Sequence, residues 1–70
     1  MTHVEIYEIY KQQLEHYEKQ TVMWFPNGHH SIRVRLEDGE EFVFSYFNKR
    51  HWRFETLTRF MKKMKGAKQM

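Results

Sequence analysis

The sequence contains no cysteine and only one aspartate, and each absence excludes a kind of chemistry. Without cysteine there can be no disulfide bond and no cysteine-based zinc site. The single aspartate, Asp38, lies in a predicted tight turn, so a pair of catalytic carboxylates is lacking. No glycine-rich phosphate loop is present, and neither Ser31 nor Ser45 lies in a nucleophile motif. We therefore expect no cofactor and no hydrolase triad.

Long apolar runs are also missing. No stretch approaches the roughly 20 residues that a membrane-spanning helix needs. The segment Met1–Tyr10 carries Glu5 and Glu8 and no basic cluster, so it does not resemble a signal peptide. We expect a cytoplasmic protein that does not enter a membrane. At 70 residues, the chain is expected to form one small domain over residues 1–70, with a frayed tail over 66–70.

The charge is unevenly distributed along the chain. Residues 1–40 carry four Lys or Arg against seven Asp or Glu, whereas residues 41–70 carry eight against two. A basic half on a small domain favours a polyanionic partner or an acidic protein surface, although such a run can also be a solvated helix face.

The strongest structural signal is a pair of alternating runs joined across Asp38-Gly39. A three-residue loop, with Gly39 at positive φ, sets Val34 opposite Phe42 and Ile32 opposite Phe44. We prefer this register because it collects apolar side chains on one face, and a one-residue slip would invert a strand. The predicted inner face then contains six residues: Ile32, Val34, Leu36, Phe42, Phe44 and Tyr46.

The flanking segments complete the predicted fold. Residues 4–20 have helical spacing, with Thr2 and Glu5 as a capping box. Residues 21–25 form a strand, and a Pro26–Gly28 loop would pair Trp24 with His30. Residues 48–65 form a second helix capped by Asn48. The prediction is an α+β domain: helix, three-stranded antiparallel meander, helix, in a two-layer sandwich.

Two surfaces are candidates for nucleic-acid binding, and the sequence does not choose between them. One is the start of the predicted second helix, and the other is the outer sheet face, where arginines alternate with aromatics. The residues concerned are Lys49, Arg50, Arg53, Arg33, Arg35, Lys62 and Lys63.

The five histidines raise the question of metal binding and of catalysis. His29 and His30 are adjacent, so in a strand they would point to opposite faces, and helical partners four apart are absent; we expect no metal site. Metal-independent RNA cleavage needs only one imidazole near the 2′-hydroxyl with cations around the phosphate. His29 on the loop is the catalytic candidate if the protein is a ribonuclease.

Two family resemblances bear on these hypotheses. The predicted order helix, three strands, helix resembles the double-stranded-RNA-binding domain, whose RNA-contacting lysines open the second helix, where this chain has Lys49, Arg50 and Arg53. A second resemblance, to HicA-type toxins, depends on three short motifs. These are Gly28-His29-His30, Thr56-Leu57 and Phe60-Met61-Lys62, which are similar to motifs of that family. HicA-type toxins are small ribonucleases on the same fold, and this resemblance implies that His29 is the catalytic imidazole.

The predicted outer sheet face also presents leftover apolar side chains that could contact a protein. These are Met23, Phe25, Val43 and Phe47. They fit a homodimer, or an inhibitor or adaptor like the compact anti-defence (anti-CRISPR-like) proteins of phages and other mobile elements. Our leading hypothesis is a non-catalytic RNA- or DNA-binding module that uses the basic second helix and the loop over residues 26–30; the ribonuclease and the protein-binding role are the alternatives.

Overall fold

The computed structural model describes residues 1–62 as an α+β fold with four strands in one sheet. The elements that precede the last helix are α1 (His3–Gln13), α2 (Glu15–Glu18), β1 (Thr21–Pro26), β2 (Ser31–Leu36), β3 (Glu41–Asn48) and β4 (His51–Thr56). Residues 57–62 are helical and belong to α3. The strands are antiparallel in the order β1-β2-β3-β4. The α+β class is confirmed, and the three-stranded sheet is wrong because the meander has a fourth strand.

The register of the central hairpin is as predicted. Val34 pairs with Phe42 and Ile32 with Phe44. Gly39 has a φ of 90°, and the amide of Leu36 donates to the carbonyl of Glu40 at 2.8 Å. The extra residue in the loop therefore places the apolar side chains of both strands on one face.

That inner face carries the core, because α1 packs against it. Ile6 and Tyr10 of α1 are fully buried, and the ring of Tyr10 lies 5.5 Å from that of Phe44. Burying side chains of this size stabilises the fold by roughly 1.5–3 kcal/mol each. The core cluster consists of Ile6, Tyr10, Ile32, Val34, Phe44 and Tyr46.

The first helix begins as predicted and is then interrupted. Thr2 and Glu5 form a reciprocal capping box at its start. Leu14, with φ −128° and ψ 51°, separates α1 from α2. The break turns Tyr17 back onto the sheet, where its ring lies 4.8 Å from that of Phe54.

The predicted pairing of β1 with β2 is wrong, although the face is right. Trp24 pairs with Val34 instead of His30, because Pro26 belongs to the strand and the loop begins after it. Proline is tolerated there because β1 is an edge strand. The observed partner Val34 lies four residues from the predicted partner His30. Because four is an even number, Trp24 still faces the core. Val22 lies in a β-bulge and is 59% exposed.

The predicted second helix over residues 48–65 is also wrong at its start. Residues 51–56 form β4, in which Trp52 pairs with Tyr46 and Phe54 with Phe44. The helix begins at Leu57, and Thr56 caps it by accepting a 3.1 Å hydrogen bond from the amide of Arg59. Its predicted end, the tail over residues 66–70 and Lys63 lie outside the described residues.

The described start of α3, residues 57–62, borders the outer face of the sheet. Phe60 and Met61 line a hollow together with Ser31. Leu57 lines a second hollow with Glu41. Ser31 and Glu41 both lie at outer-face positions of their strands. Val43, on the same face, is fully buried. The described start of α3 therefore borders the outer face of the sheet, whereas α1 packs on the inner face.

Candidate functional site

One end of the sheet brings together several of the residues singled out in the sequence. In an antiparallel meander, the β1–β2 loop and the β3–β4 turn leave the sheet at the same end. We call this the basic end, defined by the loop over residues 27–30 and the turn over residues 48–51. The ring of His30 in the loop lies 5.2 Å from that of Phe47, which directly precedes the turn.

Asn48 fixes the conformation of the turn. Its side-chain Oδ1 accepts hydrogen bonds from the amides of Arg50 at 2.8 Å and His51 at 3.0 Å. The ring Nδ1 of His51 donates to the same oxygen at 3.2 Å. The prediction that Asn48 caps a second helix is therefore wrong, because its side chain closes the β3–β4 turn. Lys49 and Arg50 project from this closed turn and are exposed.

The loop on the other side of Phe47 is held at both of its ends. The amide of Asn27 donates to the carbonyl of Ser31 at 2.9 Å. The Nε2 of His3, the first residue of α1, donates to the carbonyl of Gly28. Gly28 has a φ of 82°, which favours glycine at that position. These contacts present His29 and His30 to solvent, where both side chains are exposed.

Phe47 separates two shallow hollows on this end. The loop hollow is lined by Asn27, Gly28, His29, His30, Ser31, Phe47, Phe60 and Met61. The turn hollow is lined by Phe47, Asn48, Arg50, His51, Trp52 and Arg53. Neither set of described lining residues contains an aspartate or a glutamate, so both hollows combine aromatic, imidazole and cationic groups without a carboxylate.

The cations at the basic end are not neutralised by the described part of the chain. Across residues 1–62, the ion pairs involve Lys11, Lys19, Arg33 and Arg35, and none involves Lys49, Arg50 or Arg53. The opposite end of the sheet is acidic, because the β2–β3 connection and the start of β3 carry Glu37, Asp38, Glu40 and Glu41. The sheet therefore has a charge gradient along its strands, and an anion is attracted to the basic end.

The second predicted nucleic-acid surface is less available. Glu41 bridges both outer-face arginines, with its Oε1 3.1 Å from Nε of Arg33 and its Oε2 3.3 Å from Nη2 of Arg35. The Arg33 contact is an ion pair without hydrogen-bond geometry, since Nε and Oε1 are buried and neither has a hydrogen-bond partner. The guanidinium of Arg33 also lies over the ring of Phe25, 5.3 Å from its centroid. These two arginines are therefore already engaged, and the structure does not bring them to the basic end.

The other predicted site residues are dispersed. Lys62 is exposed on α3, and Lys63 lies outside the described residues. Among the predicted protein contacts, Phe47 is 56% and Met23 46% exposed, whereas Val43 is fully buried and cannot contact a partner. The four therefore do not form one continuous apolar patch.

His29 has no metal-binding surroundings in the described chain. Within residues 1–62, no three side chains among His, Asp and Glu gather as metal ligands. The ring of His29 lies 6.4 Å from that of His30. The structure does, however, bring the Gly28–His30 segment and the Phe60-Met61 pair, which are distant in sequence, into the single loop hollow.

Trp52 is a candidate site residue that the sequence did not single out. It lines the turn hollow, and its side chain is 36% exposed. The available signal was the alternation of residues 51–56, in which Trp52 and Phe54 are separated by the charged Arg53. That period of two is typical of a strand and would have placed Trp52 beside the turn.

Comparison with known proteins gives no family and no structural neighbour: no family model, curated protein or solved structure matches this chain. Of the helices in the described residues, none is long and apolar enough to cross a membrane.

Proposed function

We propose that this protein is a non-catalytic nucleic-acid-binding module that holds RNA or DNA at the basic end of the sheet. The observation that carries the proposal is the exposed Lys49-Arg50 turn beside Phe47, with no carboxylate among the described residues that line the two hollows. A cytoplasmic location, expected because residues 1–10 do not resemble a signal peptide and no apolar run is long enough to span a membrane, is part of the same proposal.

Three features support a polyanion over an acidic protein surface as the ligand. Lys49 and Arg50 lie on adjacent positions of a turn whose backbone Asn48 holds in place, so little backbone entropy is lost when they meet phosphates. Arg53 extends the cationic surface along β4. Aromatic rings lie between these cations and the histidine loop, and rings of that kind stack on bases.

Fluorescence anisotropy with labelled RNA and DNA oligonucleotides tests the proposal. We expect binding whose affinity falls steeply with salt, because each neutralised phosphate releases counterions. The double variant Lys49→Ala/Arg50→Ala should weaken binding about tenfold or more. For a single strand, it should also reduce the slope of log K against log salt by about 1.4, since each lost phosphate contact contributes roughly 0.7.

The matched control is Lys11→Ala/Lys19→Ala, which removes the same charge from α1 and from the residue that follows α2. Both lysines are exposed and form only helical pairs, with Glu8 at 4.0 Å and Glu15 at 3.4 Å. This variant should bind within about twofold of the unmodified protein. Equal losses in the two variants would mean that net charge alone governs binding, and no binding to any oligonucleotide at low salt would reject the function.

A metal-independent ribonuclease is the second candidate, and one observation favours it. The segments that resemble HicA-type toxins, Gly28–His30 and Phe60-Met61, line the same hollow although about 30 residues separate them in sequence. In this hypothesis, His29 would act on the 2′-hydroxyl, with Arg50 near the phosphate. Expression should then arrest growth, and His29→Ala should relieve the arrest; a harmless unmodified protein would reject this candidate.

A further inference from the structure

Phe47 lies at an irregularity in the pairing of β3 with β4, and its large ring is exposed. Tyr46 pairs with Trp52 and Asn48 pairs with His51, so Phe47 is the extra residue of a β-bulge with no partner on β4. Bulges of this kind redirect a side chain and often occur beside binding sites. The ring of Phe47 is 56% exposed, although it belongs to the same strand as the fully buried Val43 and Phe44.

The redirected ring forms the boundary between the loop hollow and the turn hollow, since it is the one described residue that lines both. Each hollow also offers a second ring. In the loop hollow, His30 lies 5.2 Å from Phe47 with an interplanar angle of 46°. In the turn hollow, Trp52 is partly exposed and stands one residue from Arg53.

The cations lie on one side of this arrangement only. Arg50 and Arg53 line the turn hollow, and Lys49 precedes Arg50 in the same turn. The loop hollow contains no lysine or arginine among its described residues and offers His29, His30 and apolar side chains instead. The two hollows therefore suit a ligand with flat aromatic groups on either side of Phe47 and negative charge near the turn.

We propose that the site takes single-stranded nucleic acid, with two neighbouring unpaired bases placed on opposite sides of Phe47 and their phosphates on the Lys49-Arg50 turn. This inference rests on the proposed function and specifies its ligand. Bases in a duplex are stacked on each other and paired, so neither can enter a hollow beside a protruding ring. Unpaired bases of any sequence can stack on aromatic side chains.

Anisotropy with three oligonucleotides of equal length tests the inference: a single strand, the same strand in a duplex, and an abasic strand that keeps every phosphate. We expect the single strand to bind at least tenfold more tightly than the other two. Phe47→Ala and Phe47→Leu should each weaken single-strand binding about tenfold without changing the salt slope, because they remove stacking and no charge. Phe47→Trp should keep the affinity of the unmodified protein, because tryptophan also offers a ring for stacking.

The outcomes separate this inference from the function on which it rests. Equal binding of all three oligonucleotides would contradict stacking of bases on Phe47, and so would full affinity of Phe47→Leu. In either case the proposed nucleic-acid binding itself would be retained. Absence of binding to all three would overturn both the stacking around Phe47 and the proposed nucleic-acid binding. Phe47 is exposed, so its variants should have the same thermal unfolding midpoint as the unmodified protein. Measuring that midpoint for each variant checks that it is folded before its affinity is compared.

Discussion

The hydroxyl of Tyr7 donates a 2.7 Å hydrogen bond to the carboxylate of Glu18, across the helix break at Leu14. The same ring stacks on Trp24 of β1, with centroids 5.1 Å apart and planes 12° from parallel. One side chain thus links α1, α2 and the edge of the sheet. Burial raises the pKa of the Tyr7 hydroxyl, and the hydrogen bond to Glu18 raises it further.

Replacing this tyrosine should change how stability depends on pH. The folded state holds the Tyr7 proton more tightly than the unfolded state does, so its contribution is complete below the unfolded pKa of about 10 and declines above it. At pH 8, Tyr7→Phe should cost about 1 kcal/mol because the hydrogen bond is lost. Above pH 10, the unmodified protein loses stability more steeply than the variant, and the difference between them should narrow.

Urea unfolding of both proteins at pH 8 and pH 11 measures the effect. Tyr10 also has a raised pKa, mainly because of burial, so the variant should retain part of the alkaline decline. A difference in the free energy of unfolding that is the same at the two pH values would show that the proton on Tyr7 is not linked to folding.

Glu41 is expected to stabilise the outer face through its two arginines. Glu41→Gln leaves Arg33 and Arg35 side by side without a carboxylate between them. The arginine side chains are 38% and 41% exposed, so solvent screens part of the interaction, and we expect a loss of about 1 kcal/mol in urea unfolding. The neighbouring Glu40 is exposed, and Glu40→Gln should change stability by less than about 0.5 kcal/mol.

The same pair of variants tests where nucleic acid binds. If the outer-face arginines are outside the interface, Glu41→Gln and Glu40→Gln should have equal affinities for an oligonucleotide, because each removes one negative charge. A Glu41→Gln variant that binds tenfold more tightly than Glu40→Gln would instead place Arg33 and Arg35 in the interface.

The central hairpin was predictable because its side chains leave one acceptable register. With Gly39 absorbing an extra residue, Ile32 and Phe44 face the core together, and any slip by one residue would bury arginine. The start of the first helix was predictable because Thr2 and Glu5 form a complete capping box, whereas the break at Leu14 was not predicted. Both features depend on residues close together in the sequence.

The second helix was predicted too long because two patterns overlap there. Phe54, Leu57 and Met61 have helical spacing, while Trp52 and Phe54 alternate with Arg53 as in a strand. Pairing with β3 decides between them, and that is a long-range contact. For the candidate site, the sequence supplied Lys49, Arg50 and the histidines, but not their proximity to Phe47, which depends on the fourth strand and on the bulge.

Glycine should be required at position 39 because of its positive φ, and not because a larger side chain would clash with neighbouring atoms. Its φ is 90°, and a Cβ added there would meet no atom within 4 Å. Gly39→Ala should therefore cost about 1 kcal/mol in the free energy of unfolding, from backbone strain alone. Gly39→Asn should cost less, because asparagine tolerates positive φ. Equal stability of the alanine variant and the unmodified protein would mean that the loop changes conformation without cost.

The contribution of the Thr56 cap to the start of α3 can be measured by mutation. The Oγ1 of Thr56 accepts a hydrogen bond from the amide of Arg59, so Thr56→Ala should destabilise the protein by about 1 kcal/mol. Thr56→Ser keeps the oxygen and should retain most of that stability. Thr58→Ala, at an exposed position within the helix, should have little effect. Urea unfolding followed by far-UV circular dichroism measures all three.

A further variant separates this helix start from the one that the sequence predicted. If a helix began at Asn48, Asn48→Ala would remove its cap and lower the helical signal. In the four-stranded fold, Asn48 instead holds the β3–β4 turn, so Asn48→Ala should leave the helical signal unchanged. It should also loosen Lys49 and Arg50, and oligonucleotide binding should weaken because their positions are no longer fixed before binding. A drop in helicity with unchanged binding would contradict both the fourth strand and the role of the turn.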